Sequence, residues 1–408
     1  MICPHFAPDV APTGEVMTSI VSGLADRGHR QHVVTALPWY HQHRIADGWT
    51  GRLVRTESTS WGRISRLHPF PTDKTNIPAR ALAFAGFTGL ATLVGMRRQP
   101  RPDAIIVMSP PLILGLAGWL LKLRWRVPLI FNIQDVFPDV AVEVGAITNT
   151  KVIAVASWLE RFLYRRSDAV TVLSEDLRVN VAAKLSGARP GRVEVIPNFV
   201  DTERVQPGDR MTGYRREFGL GDRVVVMYAG NLGFSQSVEL MLAAAIALND
   251  DPDVVFVING SGSNRAALMA QADGLNNVVW VPMQPRERVA EVLASADIHT
   301  VLLKRGLAKS SVPSKLYSIL AAGRPVVASV DRGTEVERTI DLAEAGMVVG
   351  PEDPQAFVAA VSTLVRDARL RRDMGAHGRV WVEKWLSPEG VAIAYEELIE
   401  RLVHPARG

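Results

Sequence analysis

The stretch that most constrains this chain is residues 307–330, LAKSSVPSKLYSILAAGRPVVASV. Its end, PVVASV, is apolar and β-branched without alternation, the pattern of a strand buried on both faces. Such a strand needs helices above and below a parallel sheet. Ahead of it, Ser310 and Ser311 are candidate helix caps, and Pro313 suits a first turn, where its missing N–H costs nothing. Gly323 supplies the residue past a helix end, and Pro325 bars continuation. The segment reads as loop, short helix, stop and strand. The helix N-terminus would carry free N–H groups and a positive dipole end, which suits an anion, and Lys315 falls in its first turn. The same pattern also fits an ordinary α/β unit with a solvated lysine.

The rest of the chain repeats this alternation twice. Strands are expected at 1–6, 29–35, 104–108, 127–133, 169–173 and 192–196, with helices at 14–28, 76–96, 112–123, 151–166 and 174–186. A hairpin and loop region is expected over 39–73. A second series has strands at 223–228, 254–259, 278–281, 298–303 and 325–330, with helices at 237–249, 286–295, 354–367, 370–385 and 388–403. Residues 198–221, rich in charge and turn residues, separate the two series. Alternation of this kind gives mostly parallel sheets with helices on both faces, an α/β chain of two Rossmann-like domains. Their bounds are expected at 1–200 and 222–385, joined by a linker at 201–221. The remainder, 386–408, is expected to form a C-terminal helix.

A length of 408 residues fits two domains. The apolar share of 47% with 22% charged residues is that of a globular α/β protein. A net charge of +4 is compatible with polyanionic substrates or an acidic membrane surface without requiring nucleic acid. The single cysteine, Cys3, allows no intrachain disulfide, which fits the cytosol. Residues 81–96 and 104–121 are free of charge, but the first stretch is short for a span and Pro110-Pro111 breaks the second. Neither is read as transmembrane, and no signal peptide is read at the N-terminus.

PHFAPDVAPTGEV (residues 4–16), FNIQDVFPDVAVEVGA (131–146), YAGNLGFSQSVELML (228–242) and VPSKLYSILAAGRPVVAS (312–329) together resemble the family-4 glycosyltransferases. These are retaining enzymes that use nucleotide-activated sugars. Within them the chain is similar to the fucosamine-transferase-like subgroup of capsule, O-antigen and colanic-acid synthesis. The resemblance covers nearly the whole chain. It implies the GT-B architecture, two facing Rossmann-like domains with ligands in the cleft between them. The first domain would take the acceptor and the second the nucleotide-sugar donor, and the C-terminal helix would cross back to the first domain. It further implies metal-independent catalysis and no cofactor, the nucleotide diphosphate sugar being a substrate. The first strand is shorter than the family's.

The resemblance places candidate residues. Gly14, at the first loop and helix, would allow backbone N–H groups close approach to a ligand. Gly260 and Gly262, in the turn Asn259-Gly-Ser-Gly262, match the glycine loop near the nucleotide. The family's usual arginine and lysine after the first strand of the second domain correspond here to Asn231 and Gln236, both neutral. Its two glutamates correspond to Ser310 and Ser318. The electrostatic burden on the leaving diphosphate then shifts to Lys315, with Ser314 beside it and Lys304, Arg305 and Lys309 nearby. Those last three also fit a solvated basic loop.

On the acceptor side, Gln134-Asp135 stands at a strand end where many relatives have His-Asp. Asp135 is a candidate to contact the sugars or assist proton loss from the acceptor hydroxyl. Asp139 and Glu143, four apart, would share a helix face or serve as caps. His5 fits a packed histidine as well as a ligand. No cluster has metal-ligand spacing, and no GxGxxG follows the first strand, which argues against a nicotinamide dehydrogenase.

The reading is therefore a retaining glycosyltransferase acting on a cell-envelope glycan or polyprenyl-linked acceptor. The alternatives are a nucleotide-sugar 2-epimerase of the same architecture and a non-catalytic nucleotide-sugar-binding protein. The expected location is cytoplasmic, with peripheral contact to an anionic inner membrane face through the basic amphipathic helix at 151–166.

Overall fold

A computed structural model describes residues 1–9, 11–40, 44–72, 77–97, 100–143, 145, 147–185, 192–307 and 313–404. The chain forms two compact units, Met1–Asn198 with Pro388–Gly408, and Phe199–Ser387.

The first unit runs α1 (Pro12–Asp26), β1 (Gln31–Ala36), β2 (Val54–Thr59), β3 (Gly62–Leu67), α2 (Ile77–Met96), β4 (Ile105–Ser109), α3 (Leu114–Trp125), β5 (Leu129–Ile133), α4 (Asp139–Glu143), α5 (Thr150–Arg166), β6 (Ala169–Val172), α6 (Glu175–Lys184) and β7 (Val193–Val195). Strands β4-β5-β6-β7 are parallel neighbours, and β1 pairs parallel with β3. The hairpin expected over 39–73 is β2 with β3, antiparallel at the edge. The expected first strand is reduced to one bridged residue, Ile2, which joins Val34 of β1 to Val107 of β4. Ile2 N donates to Ile106 O at 2.8 Å and Cys3 N to Val34 O at 3.1 Å. Pro4 then has no N–H to continue the ladder. Through Ile2 the strand order is β3-β1-Ile2-β4-β5-β6, the doubly wound order, which reverses between Ile2 and β4.

The second unit runs α7 (Gly213–Glu217), β8 (Val224–Ala229), α8 (Glu239–Ala247), β9 (Val254–Asn259), α9 (Arg265–Gln271), β10 (Val278–Val281), α10 (Val289–Ser295), β11 (Ile298–Leu302), α11 (Lys315–Ala321), β12 (Val326–Ser329), α12 (Glu335–Leu342), β13 (Gly346–Val349), α13 (Pro354–Arg366) and α14 (Ala368–Trp385). Its sheet is parallel throughout, in the order β10-β9-β8-β11-β12-β13. This is again the doubly wound order, and it reverses between β8 and β11. The strands bury both faces. Val226 and Tyr228 of β8 and Phe256 and Ile258 of β9 enter one core with α8 and α13. Their neighbours Val225, Met227, Val255 and Val257 enter another with Tyr214 of α7. That division explains why these strands lack alternation in sequence. Residues 201–221, expected as a linker, fall inside this unit. Arg215 there is buried and donates to Asp297 Oδ2 at 2.5 Å.

The last helix, α15 (Pro388–Val403), belongs to the first unit. It lies against α1 so closely that a Cβ on Gly23 would stand 2.6 Å from Ala392 Cβ. Glu396 of α15 accepts from Arg27 and from His29 Nε2.

Candidate active site

In an open doubly wound sheet, ligands sit beyond the carboxyl ends of the strands, where the order reverses. In the second unit that place is the end of β8 beside β11. Two glycine turns meet there. Gly230 N donates to Asn259 O at 2.9 Å, and Leu232 N to Ser261 O at 2.9 Å. A Cβ on Gly260 would lie 1.9 Å from Gly230 O, so only glycine lets the two turns touch. Gly230 and Gly262 have positive φ, 146° and 158°. Gln236 takes part in this loop: its Oε1 accepts from Gly233 N at 3.0 Å and its Nε2 donates to Ser235 Oγ at 2.7 Å. Asn231 is exposed. The two neutral residues therefore differ in role: Gln236 braces the turn and Asn231 faces solvent.

Lys315 is the first residue of α11. Its Nζ is buried and has no hydrogen-bond partner among the described residues. It lies 3.8 Å from the centre of the Tyr228 ring. A Cβ on Gly230 would come within 3.3 Å of Nζ, so the glycine leaves the ammonium its place. Burial pushes the Lys315 pKa down to about 7. The Tyr228 hydroxyl donates to Asn231 O at 2.7 Å, so this ring both carries the lysine and fixes the turn. Tyr228 was not among the residues singled out from sequence. Its signal, an aromatic at a strand end just before a glycine, is shared with any core tyrosine.

The helix carrying Lys315 starts later than its sequence suggests. Its N-cap is Ser314, with helical φ and ψ and no side-chain cap bond. Ser310, Ser311 and Lys309 lie outside the described residues. Gly323 ends the helix as expected, with φ 66°; Gly323 N donates to Leu320 O and Arg324 N to Ile319 O. Ser318 lies one turn after Lys315 and is half-buried. Of the other cations expected nearby, Arg305 donates to Pro351 O at 3.3 Å, and Lys304 N donates to Ser235 O at 3.1 Å.

In the first unit the order reverses at Ile2, and the loop beyond it carries His5. His5 Nδ1 is 2.7 Å from Asp9 Oδ2, and its ring stacks on Trp39 with centroids 5.8 Å apart. Gly14 is the third residue of α1, which opens at Pro12, not at Gly14 as expected. A Cβ on Gly14 would sit 3.0 Å from His5 Cβ, so the glycine allows the helix onto the loop.

Gln134 and Asp135 follow β5. Gln134 is buried; its Nε2 donates to Asn132 Oδ1 at 2.8 Å and its Oε1 accepts from Asn198 Nδ2 at 2.9 Å. Asn132 Nδ2 in turn donates to Tyr395 Oη at 2.7 Å and Thr171 Oγ1 at 3.1 Å. Gln134 is thus tied into a buried polar chain, where the sequence suggested an acceptor contact. Asp135, next to it, is half-exposed. Asp139 is paired with Lys184 at 2.8 Å and accepts from Asn180. Lys184 also meets the buried Glu160 at 2.7 Å. Asp139 therefore links α4 to α6, while Glu143 at the end of α4 is exposed. No group of three or more His, Cys, Asp or Glu able to hold a metal occurs among the described residues.

Two doubly wound units in one chain are the GT-B architecture, and solved structures agree. Sucrose-phosphate synthase from Thermosynechococcus elongatus superposes with a TM-score of 0.73 at 18% identity over 98% of each chain. Anabaena HepE (Alr3699), solved with UDP-glucose, gives 0.69 at 14% identity over 98% of this chain and 99% of its own. The glycosyl transferase 4-like domain matches residues 13–198, and the glycosyl transferases group 1 domain matches 223–367. The chain belongs to the glycosyltransferases built from this pair of domains. Its relatives include a protein of Escherichia coli strain K12 provisionally named colanic acid biosynthesis glycosyl transferase WcaI. The two are 28% identical over 399 residues, 95% of this chain and 96% of the relative.

Proposed function

We propose that this glycosyltransferase moves a hexosyl or aminosugar group from a nucleotide diphosphate sugar to a cell-envelope glycan or polyprenyl-linked acceptor, retaining the anomeric configuration. The observation that carries the reading is Lys315, whose buried Nζ has no hydrogen-bond partner among the described residues and stands beside two fused glycine turns. A buried cation of this kind is costly until an anion arrives. A diphosphate supplies the missing charge, and Lys315 with the N–H groups of the turns at Asn231 and Gly262 would hold it, while Gly260, whose N–H donates to Val281 O at 2.9 Å, keeps the two turns in contact. Ser314 and Ser318, at the start and within the first turn of α11, are candidate hydroxyls for the rest of the donor. As the bond from the anomeric carbon to the diphosphate oxygen breaks, negative charge grows on that oxygen, and Lys315 meets it. The acceptor hydroxyl forms the new bond and loses its proton, with Asp135 as its partner. Asp139, Glu143 and Gln134 shape that side, from within α4 and the buried chain.

The acceptor class is supported by the named role of the Escherichia coli relative, and the donor class by the UDP-glucose held in HepE. The enzyme would work in the cytoplasm, at the inner face of the plasma membrane, with no cofactor and no metal. The test is product analysis with UDP- and GDP-sugars and a polyprenyl diphosphate-linked acceptor. A new glycosidic bond with the donor's anomeric configuration is expected. A free epimerised sugar with no acceptor product would instead make the protein a 2-epimerase.

A further inference from the structure

The first unit has a face that its fold leaves unexplained. α2 is apolar over Ala79–Met96 and long enough to cross a membrane, and it packs on α3, β1 and β3 through one side. Ala83, Phe87, Thr88, Ala91 and Thr92 are its buried side. Its other side shows Leu82, 75% exposed, and Leu93, 53% exposed, with Ala85 and Gly89 exposed between them. The spacing 82, 85, 89, 93 is one helical stripe. A helix stripe facing water normally carries charge, and this one carries none.

The apolar surface continues across the neighbouring helices. Leu123 of α3 is exposed, as are Val152 and Val155 of α5, and Trp158 of α5 is 61% exposed. Trp158 stacks on Phe162 with centroids 5.6 Å apart, and Phe162 meets Trp119 of α3 edge-on at 5.0 Å. These rings tie α5 to α3, so the exposed residues of the two helices form one face. Cations border it: Arg80 on α2, Arg124 on α3, and Lys151, Arg161, Arg165 and Arg166 on α5, all exposed. The one acidic residue on the three helices, Glu160, is buried and held by Lys184.

We propose that this α2–α3–α5 face seats on an anionic phospholipid bilayer, with the α2 stripe and Trp158 entering the interface and the cations meeting lipid phosphates. Apolar side chains, an interfacial tryptophan and a basic border without acid fit that surface. A second copy of the chain fits poorly, because a two-fold contact sets each patch against itself, cations against cations. The proposal deepens the reading of a polyprenyl-linked acceptor and rests on it for its purpose, but vesicle binding is measured without donor or acceptor. Loss of one result therefore leaves the other standing.

The experiment is flotation of the full chain with vesicles of phosphatidylcholine, with and without phosphatidylglycerol. Wild type should float with the anionic vesicles only and be released by high salt. Leu82→Glu/Leu93→Glu should lower the bound fraction about tenfold or more, since two exposed leucines lose their burial in lipid. Its circular dichroism and its thermal shift with a nucleoside diphosphate should stay as in wild type. Arg161→Gln/Arg165→Gln should lower binding to anionic vesicles while leaving the fold intact. Should the first pair fail to fold, Val155→Gln/Trp158→Ser on α5 takes its place with the same expected loss. The proposal is overturned if wild type does not float, or if the folded leucine variant floats like wild type. It is also overturned if wild type sediments as a dimer that the leucine variant makes monomeric, since the face would then be a protein interface.

Discussion

At Lys315 one residue combines an ionisable group with burial and the proposed contact to the donor. Its pKa is lowered from 10.5 to about 7 by burial. Between those values the folded chain holds fewer protons at this site than the unfolded chain. This group alone therefore makes stability rise with pH across that window, and it costs stability below about 7. A bound diphosphate would restore the charge. Nucleoside diphosphate binding near pH ~8 should then take up a proton, and affinity should fall by up to about tenfold per pH unit. Calorimetry in two buffers of different ionisation enthalpy reads that uptake; affinity that is flat with pH and no uptake would contradict it. Asp135→Asn should lower turnover about 10²–10⁴-fold while leaving diphosphate binding nearly intact. Wild-type turnover in the folded variant would remove Asp135 from the reaction. The place of Lys315 in the first turn of a helix ahead of a buried strand was legible in the sequence because the pattern around it is local. The chain Tyr395–Asn132–Gln134–Asn198 was not, because Tyr395 and Asn198 lie far in sequence from the Asn132 and Gln134 they bond and meet them only in the folded unit.

At the scale of elements, the glycine turns set the geometry beyond the ends of β8 and β9, where the donor site is proposed. Gly260→Ala would push a Cβ onto Gly230 O, whose would-be separation is 1.9 Å, so the two turns must part. Diphosphate affinity and melting temperature should both fall, with affinity falling more, and a thermal-shift titration reads both. An unchanged affinity would mean the turns are not part of the donor site. Continuous apolar runs gave β9 and β10 to the residue, because strands buried on both faces have few alternative readings. The short helices α7, α9 and α12, and strand β13, escaped notice, since runs of four to eight residues carry little periodicity. α11 starts at Lys315 because Ser314 already has helical backbone angles, a choice that capping preference alone does not reveal. The first strand narrowed to Ile2 because Pro4 cuts its ladder.

For the whole molecule, two doubly wound units were legible from the twofold repeat of strand and helix. The stretch 201–221 looked like a linker for its charges and turns, yet Arg215 and Tyr214 are buried, held by Asp297 just ahead of β11 and by Asn259 at the end of β9. The last helix was expected from the resemblance to return to the first domain, and it does; the contacts that hold it there, at Gly23, Arg27 and His29, are ones no local pattern points to. If protein cations and backbone N–H groups meet the leaving charge, initial rates should be unchanged by EDTA. Activity lost to EDTA and restored only by Mg²⁺ or Mn²⁺ would contradict that. The central claim is that Lys315 holds the donor diphosphate, and calorimetry on Lys315→Ala tests it most directly. A charge-assisted hydrogen bond contributes about 1.5–3 kcal/mol, so affinity for UDP or GDP should fall about 10- to 150-fold while affinity for uridine or guanosine stays unchanged. A folded Lys315→Ala protein that binds the nucleoside diphosphate as tightly as wild type would contradict the account.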